Sequence, residues 1–90
     1  MAQRIDISEN VLCEYLDGDA VLLDLTGETY FTLKGTSARM WELLTNLKDN
    51  DAVIEQLLVE FDIERSIVEQ DLEELIADGA KAGILHVSDS

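Results

Sequence analysis

The pattern of hydrophobic and polar residues changes its period once, roughly a third of the way along the chain. Before the change, apolar, β-branched and aromatic residues occur in three short runs, which is typical of half-buried strands. These runs cover Val11–Leu16, residues 20–25 and Thr29–Leu33. Asp17 and Gly18 separate the first two runs and favour a tight hairpin turn, because both residues accept positive φ. The first half therefore predicts a meander of three antiparallel strands.

The second half has a helical period, and the change occurs at Lys34 and Gly35. The first predicted helix covers residues 37–47, with Thr36 or Ser37 available as its N-cap. Its apolar stripe contains Met40, Trp41, Leu44 and Leu47. A second helix, capped by Asp49 or Asn50, has a wide stripe of Val53, Ile54, Leu57, Leu58 and Phe61.

The third predicted helix begins at a capping box formed by Ser66 and Glu69, whose side chains would satisfy two otherwise unpaired amides. It ends before Gly83, and residues 84–87 form a short final strand or an ordered tail. Its inward residues are expected to be Val68, Leu72, Leu75 and Ile76.

A sheet followed by three helices predicts an α+β fold, and the last two helices have winged helix-turn-helix proportions. Residues 1–10 are expected to form a poorly ordered lead-in. Residues 11–87 are expected to form a single domain, since ninety residues suffice for one core.

The strand Thr29–Leu33 is the last of the predicted three, so it is expected at a sheet edge with unpaired backbone groups beside a helical layer. Such an edge can dock a peptide. Phe31 and Leu33 are the predicted core pair, and Tyr30 and Thr32 are predicted on the other face. Trp41 is expected in the core, and a second stripe on the last helix contains Ile67, Asp71, Glu74 and Asp78.

Charge restricts the choice of partner. The chain has 20 Asp and Glu residues against 6 Lys and Arg residues, a formal net charge of -14. Long-range repulsion disfavours DNA, RNA and anionic membranes, so a basic or neutral partner is expected. The single cysteine, Cys13, cannot form an internal disulfide, and neither a signal peptide nor a transmembrane-length apolar run is present. These features predict a cytoplasmic location.

Catalytic motifs are lacking in the sequence. His86 stands alone near the end, and Cys13 has neither a nearby histidine nor a third group to orient one. The sequence contains neither an EF-hand spacing, a Cys/His cluster for zinc, nor a phosphate-binding glycine loop. We therefore expect a protein that is not an enzyme and uses no cofactor or metal.

Two other functions fit the sequence less well. A winged-helix transcription regulator would place the helix near residues 65–82 in the major groove, but this helix has more acidic than basic residues. A carrier protein would need a serine in an Asp-Ser-Leu setting at the head of a helix, and the sequence has none.

An ordered set of residues resembles the PqqD-like family, the peptide-recognition domains of pathways for ribosomally made, modified peptides. The resemblance extends from Val11 to Leu85, and it is greatest to the free-standing B1 proteins of lasso-peptide clusters. The residues that carry it are Val21 to Gly27, Tyr30, Leu33, Ser37 to Leu44, Phe61 to Ile63, Val68, Asp71, Leu72 and Gly83 to Leu85.

This resemblance implies a three-stranded sheet packed on three helices, with a precursor leader peptide added as an antiparallel strand to the third strand and lying against the third helix. It also implies a partner enzyme, either a leader peptidase or a radical S-adenosylmethionine enzyme. The exposed edge leaves homodimerisation open. Two residues depart from the family pattern: Gly79 replaces a large apolar residue and Glu64 replaces a capping Asp. The implied peptide-binding residues are Thr29, Tyr30, Phe31, Thr32, Leu33, Ile67, Asp71, Glu74, Leu75 and Asp78.

Overall fold

The computed structural model describes residues 3–27 and 29–89 and confirms the predicted α+β class. A three-stranded antiparallel sheet precedes three helices, and a pair of strands from the two ends of the chain forms a second sheet. The elements are β1 (Gln3–Ile7), β2 (Val11–Leu16), β3 (Asp19–Asp24), β4 (Thr29–Leu33), α1 (Thr36–Leu47), α2 (Asn50–Glu60), α3 (Arg65–Ala82) and β5 (Leu85–Asp89).

The three-stranded sheet has the order β2-β3-β4. The predicted hairpin between β2 and β3 is confirmed, since Asp17 and Gly18 have φ of 51° and 83°. This two-residue turn pairs Leu16 with Asp19 and fixes the register of the whole hairpin. β4 then pairs with β3, with Phe31 opposite Leu22.

The prediction of a poorly ordered lead-in over residues 1–10 is wrong for β1. This strand pairs with β5 along its full length, and Ile5 lies opposite Val87. Ile5 is 0% exposed, and its N–H donates a hydrogen bond to the Lys48 carbonyl at 2.9 Å. Burial of Ile5 and pairing with the distant β5 hold this segment in the core. Residues 1 and 2 of the predicted lead-in lie outside the described residues.

The core lies between the inner face of the three-stranded sheet, β1, β5 and the three helices. Trp41 is 1% exposed, which confirms its predicted place. The predicted faces of β4 are also confirmed: Phe31 and Leu33 pack against the core, whereas Tyr30 is 72% exposed. The most deeply buried side chains are Trp41, Ile5, Leu22, Met40, Leu44, Leu57, Leu72, Val53 and Val68.

Two predicted helix starts need correction. The N-cap of α1 is Gly35 rather than Thr36 or Ser37, because the backbone there has a φ of 56° that favours glycine. The Gly35 N–H donates to the Asp19 carboxylate at 3.4 Å, so a residue of β3 helps to hold the start of this helix.

The capping box predicted for α3 does not form. The N-cap is Glu64, and Ser66 lies inside the first turn of the helix. The Glu69 carboxylate instead accepts a hydrogen bond from Arg65 Nε at 3.0 Å, one turn earlier on the same helix. An ion pair at i, i+4 has therefore replaced the bond that Glu69 would make in a capping box.

The other predicted helix ends are confirmed. Asp49 caps α2, and its carboxylate accepts hydrogen bonds from the backbone N–H groups of Asp51 and Ala52. Gly83 ends α3 in a left-handed conformation. The Ile84 N–H donates to the Gly79 carbonyl at 3.0 Å and the Gly83 N–H donates to the Ala80 carbonyl at 3.2 Å, which together form a Schellman motif.

Arg39 joins α1 to α2 through a bidentate ion pair. Its Nε and Nη2 atoms donate to the two Glu60 carboxylate oxygens at 2.7 and 2.5 Å, and Nη1 donates to Glu42 at 2.6 Å. Paired hydrogen bonds of this kind are the stronger form of Arg–carboxylate contact. Hydrogen bonds from Arg39, and then from Gln56, lower the pKa of Glu60 from 4.5 to about 2.

This ion pair predicts an acid-dependent loss of stability. Because the pKa of Glu60 is lower in the folded state, its contribution is complete above pH 4.5 and is lost as the pH falls through about 2. We expect Glu60→Gln to reduce the dependence of the unfolding free energy on pH within this window. Urea denaturation followed by circular dichroism at several pH values measures the slope.

Glu9→Gln is the matched control, because Glu9 forms no ion pair with any residue that the structure describes. Equal slopes for wild type and Glu60→Gln would show that the Arg39 contact contributes nothing to folding.

Candidate functional site

The outer edge of β4 is open. In the described part of the chain, β4 pairs with β3 alone. In an antiparallel strand, the N–H and C=O of one residue point to the same side, and successive residues alternate between the two sides. Every second residue of β4 therefore directs its backbone groups away from the sheet.

The β2–β3 hairpin decides which residues these are. A tight turn places a hydrogen bond between the residues that flank it, here Leu16 and Asp19. Residues 19, 21 and 23 therefore bond toward β2. The Leu25 N–H continues this alternate series, since it donates a hydrogen bond to the Asn10 carbonyl at 2.9 Å.

The alternate residues of β3 must bond toward β4. Ala20, Leu22 and Asp24 face β4, where they are opposite Leu33, Phe31 and Thr29. The backbone groups of Tyr30 and Thr32 consequently point outward from the open edge. The sequence alone does not decide between this set and the alternate set of Thr29, Phe31 and Leu33.

A groove of about 200 Å³ lies between this edge and α3. Phe31 and Leu33 form its strand side, and Leu75 and Asp78 form its helix side. Asp78 is the only charged side chain among the described lining residues, so the groove is mainly apolar. Its lining residues are Leu22, Phe31, Thr32, Leu33, Leu75, Asp78, Gly79 and Ile84.

Half of the predicted peptide-binding residues line this groove, and the others lie around it. Thr29 begins β4, and Tyr30 extends from the outer face of the sheet. Ile67, Asp71 and Glu74 form an exposed stripe on α3 that continues from Asp78 toward the start of the helix. Asp71, Glu74 and Asp78 form no ion pair within the described residues, so this flank of α3 is negatively charged.

Three residues of the groove are absent from the predicted set. Leu22 could have been found, because it lies on the same sheet face as the core. Ile84 follows the helix-ending Gly83 directly, a position where an apolar contact is common. For Gly79, the sequence shows only a departure from the family pattern. A β-carbon there would lie 2.6 Å from Leu85 Cδ2, so glycine permits close packing of α3 against β5.

The outer face of the same sheet has an exposed apolar row. Leu12, Leu23 and Tyr30 are opposite one another on β2, β3 and β4 and are 54%, 40% and 72% exposed. The row ends at the open edge, so an added strand would lie beside the Tyr30 ring.

Within the described part of the chain, no His, Cys, Asp and Glu side chains group in threes or more to hold a metal ion. The same residues include no helix that is long and apolar enough to span a membrane.

Comparison with known proteins establishes the family. The family model described as Coenzyme PQQ synthesis protein D (PqqD) matches residues 19–85. The chain belongs to the PqqD family. The match covers β3, β4, all three helices and the first residue of β5, and it confirms the resemblance found in the sequence. No curated protein matches the chain significantly.

Solved structures agree with this assignment. TbiB1 in complex with the TbiA(beta) leader peptide has a TM-score of 0.85 and 29% identity, over 94% of this PqqD-family chain and 99% of that one. Lasso peptide synthetase B1 complexed with the leader peptide has a TM-score of 0.81 and 23% identity, over 92% and 98%. The second likeness establishes the fold alone.

Proposed function

We propose that this protein is a non-catalytic adaptor that captures the leader segment of a ribosomally made precursor peptide by strand addition to β4. The open edge beside an apolar groove carries the proposal. Tyr30 and Thr32 offer an outward N–H and C=O each, and backbone bonds of this kind give affinity with little demand on sequence. TbiB1, which shares the fold over nearly its full length, is complexed with a leader peptide.

Side chains on the two faces of the added strand would supply specificity. Alternate leader residues would project either into the groove beside Phe31 and Leu75 or onto the outer face beside Tyr30. The groove is mainly apolar, so it suits an apolar leader side chain. The leader would thus be fixed in register as well as in place.

The adaptor would then present the peptide to a separate enzyme, either a leader peptidase or a radical S-adenosylmethionine enzyme. Holding the peptide beside an active site raises its effective concentration there. A homodimer through β4 would compete with the leader, because both need the backbone groups of Tyr30 and Thr32. The lone Cys13 suits a reducing, cytoplasmic setting.

Hydrogen exchange tests strand addition directly. With the cognate leader bound, the amides of Tyr30 and Thr32 should exchange more slowly, whereas those of Thr29, Phe31 and Leu33 should change little because they already bond to β3. Equal protection at all five positions, or none, would contradict the proposed edge.

The acidic stripe predicts a salt-sensitive interaction with a leader that contains Lys or Arg. Each exposed charge contributes little, so neutralising Asp71, Glu74 and Asp78 together should weaken binding about threefold to tenfold at low salt. The triple variant should also lose most of the dependence on ionic strength. Fluorescence polarisation of the labelled leader over a range of salt concentrations measures both effects.

The matched control neutralises Glu9, Asp17 and Asp62, which changes the net charge equally at exposed residues that do not line the groove. Salt-independent binding, or the same loss of affinity in the control, would remove the electrostatic role of the α3 stripe.

A further inference from the structure

A second groove lies on the other flank of α3, between α2, α3 and β5. It has a volume of about 480 Å³. We call it the α2–α3 groove. Its floor is apolar and consists of Ile54, Leu72, Ile76, Ala77, Ala80 and Val87. Ile54, Leu72 and Ile76 belong to the main core, so this floor is firmly held.

The two grooves use different faces of α3. At about 100° per residue, Leu75 and Asp78 lie on one side of the buried stripe, and Glu73 and Ala77 lie on the other. A molecule in the α2–α3 groove would therefore leave the β4 edge open. Simultaneous occupation of both sites is sterically allowed.

The rim of the α2–α3 groove is acidic. Asp51, Glu69 and Glu73 line it, and none of its described lining residues is Lys or Arg. Glu69 is paired with Arg65, but Asp51 and Glu73 form no ion pair among the described residues. An apolar floor with carboxylates along its rim complements a ligand that has an apolar face flanked by cations.

The shape of the floor favours a helix. The α3 residues that line it extend from Glu69 to Ala80, which is about 16 Å of helix, or three turns. Ala77 and Ala80 are exposed and small, so another helix could approach closely at these positions.

We propose that the α2–α3 groove binds an amphipathic helix of a partner protein, whose apolar stripe is flanked by Lys or Arg. This docking is independent of leader capture, although the two together would hold the peptide and the partner on one adaptor. The proposal thus adds a second binding face to the function proposed for β4.

The test uses a designed peptide as the probe. It is about 18 residues long and contains only Leu and Lys, with Leu at helical spacing; a permuted peptide of the same composition lacks the amphipathic pattern. Titration into the isotope-labelled protein, followed by amide NMR, should shift Ala77, Ala80 and Val87. Tyr30 and Thr32 should not shift. Saturation with the cognate leader should leave the affinity of the probe unchanged within about twofold.

Two substitutions locate the site. Glu73→Lys should weaken probe binding about tenfold, because it replaces an attraction with a repulsion, and Ala77→Arg should block the groove. Glu9→Lys is the control for charge alone and should change affinity less than about twofold. Circular dichroism verifies that each variant is folded.

Several outcomes would overturn the proposal: no binding, shifts spread over the acidic surface, equal binding of the permuted peptide, or equal weakening by Glu9→Lys. Displacement of the probe by the leader would likewise contradict two separate sites. None of these results bears on strand addition to β4, which the hydrogen-exchange experiment tests independently.

Discussion

Tyr30→Pro should leave the protein folded but abolish leader binding, whereas Phe31→Pro should disrupt the sheet. Proline has no N–H, and within a sheet it is tolerated where the missing donor would face away from the neighbouring strand. Tyr30 is at such a position on the open edge of β4. The Phe31 N–H bonds to Leu22 on β3, and the Phe31 ring packs on the core. Losing both should lower the free energy of unfolding by several kcal/mol. That is a large part of a typical stability of about 5–15 kcal/mol.

The side chains need their own controls, because each proline also removes an aromatic ring. Tyr30→Ala should retain measurable leader binding, since it keeps the outward N–H. Phe31→Ala should destabilise the protein less than Phe31→Pro. Circular dichroism reports folding, and fluorescence polarisation of a labelled leader reports binding. If both prolines leave the protein folded with leader binding intact, the peptide does not dock on β4.

The central sheet and the helix order were predictable because local signals agree there with the tertiary structure. Asp17 and Gly18 accept the positive φ that the hairpin requires, and Asp49 caps α2 with its own side chain. The alternation in β4 correctly separated Phe31 from Tyr30. These features depend on residues close together in sequence.

The second sheet was less predictable because its strands lie at opposite ends of the chain. Ile5 and Ile7 alternate with charged residues, but so short a run is a weak signal until β5 pairs with it. Gly35 is similar: its N–H is held by Asp19, sixteen residues earlier, and neighbouring residues give no sign of this contact. At the start of α3, the predicted capping box does not form because the Glu69 carboxylate pairs with Arg65 instead.

The candidate site likewise combines features that the sequence predicts with features that depend on contacts between distant residues. The pattern predicted which strand has the open edge, and the family resemblance implied which helix faces it. The pattern could not decide which backbone groups of β4 point outward, because that depends on the register of the β2–β3 hairpin together with the register between β3 and β4. Nor could it show that the helix side of the groove includes Gly79, whose role depends on a contact with β5.

Gly79 should therefore respond to alanine in a way that depends on Leu85. Alanine in a helix interior is favoured over glycine by about 1 kcal/mol. Here the added β-carbon would lie 2.6 Å from Leu85 Cδ2 and 2.9 Å from Cγ, and Leu85 is 4% exposed. Overpacking of this kind costs about 1–3 kcal/mol. We expect Gly79→Ala to destabilise the protein by up to about 2 kcal/mol.

The sign should reverse once Leu85 is shortened. Leu85→Ala alone should cost about 2–5 kcal/mol, because it leaves a cavity under α3. In that background, Gly79→Ala should stabilise by up to about 1 kcal/mol, since the overlap is gone and the helix preference remains. A double-mutant cycle from urea denaturation measures this coupling. When Leu85 is retained, Gly79→Ala should also lower the affinity for the leader, because displacement of α3 alters the groove beside β4. Stabilisation by Gly79→Ala with Leu85 present would instead mean that Leu85 moves aside freely, and that glycine is not required for the packing of α3 against β5.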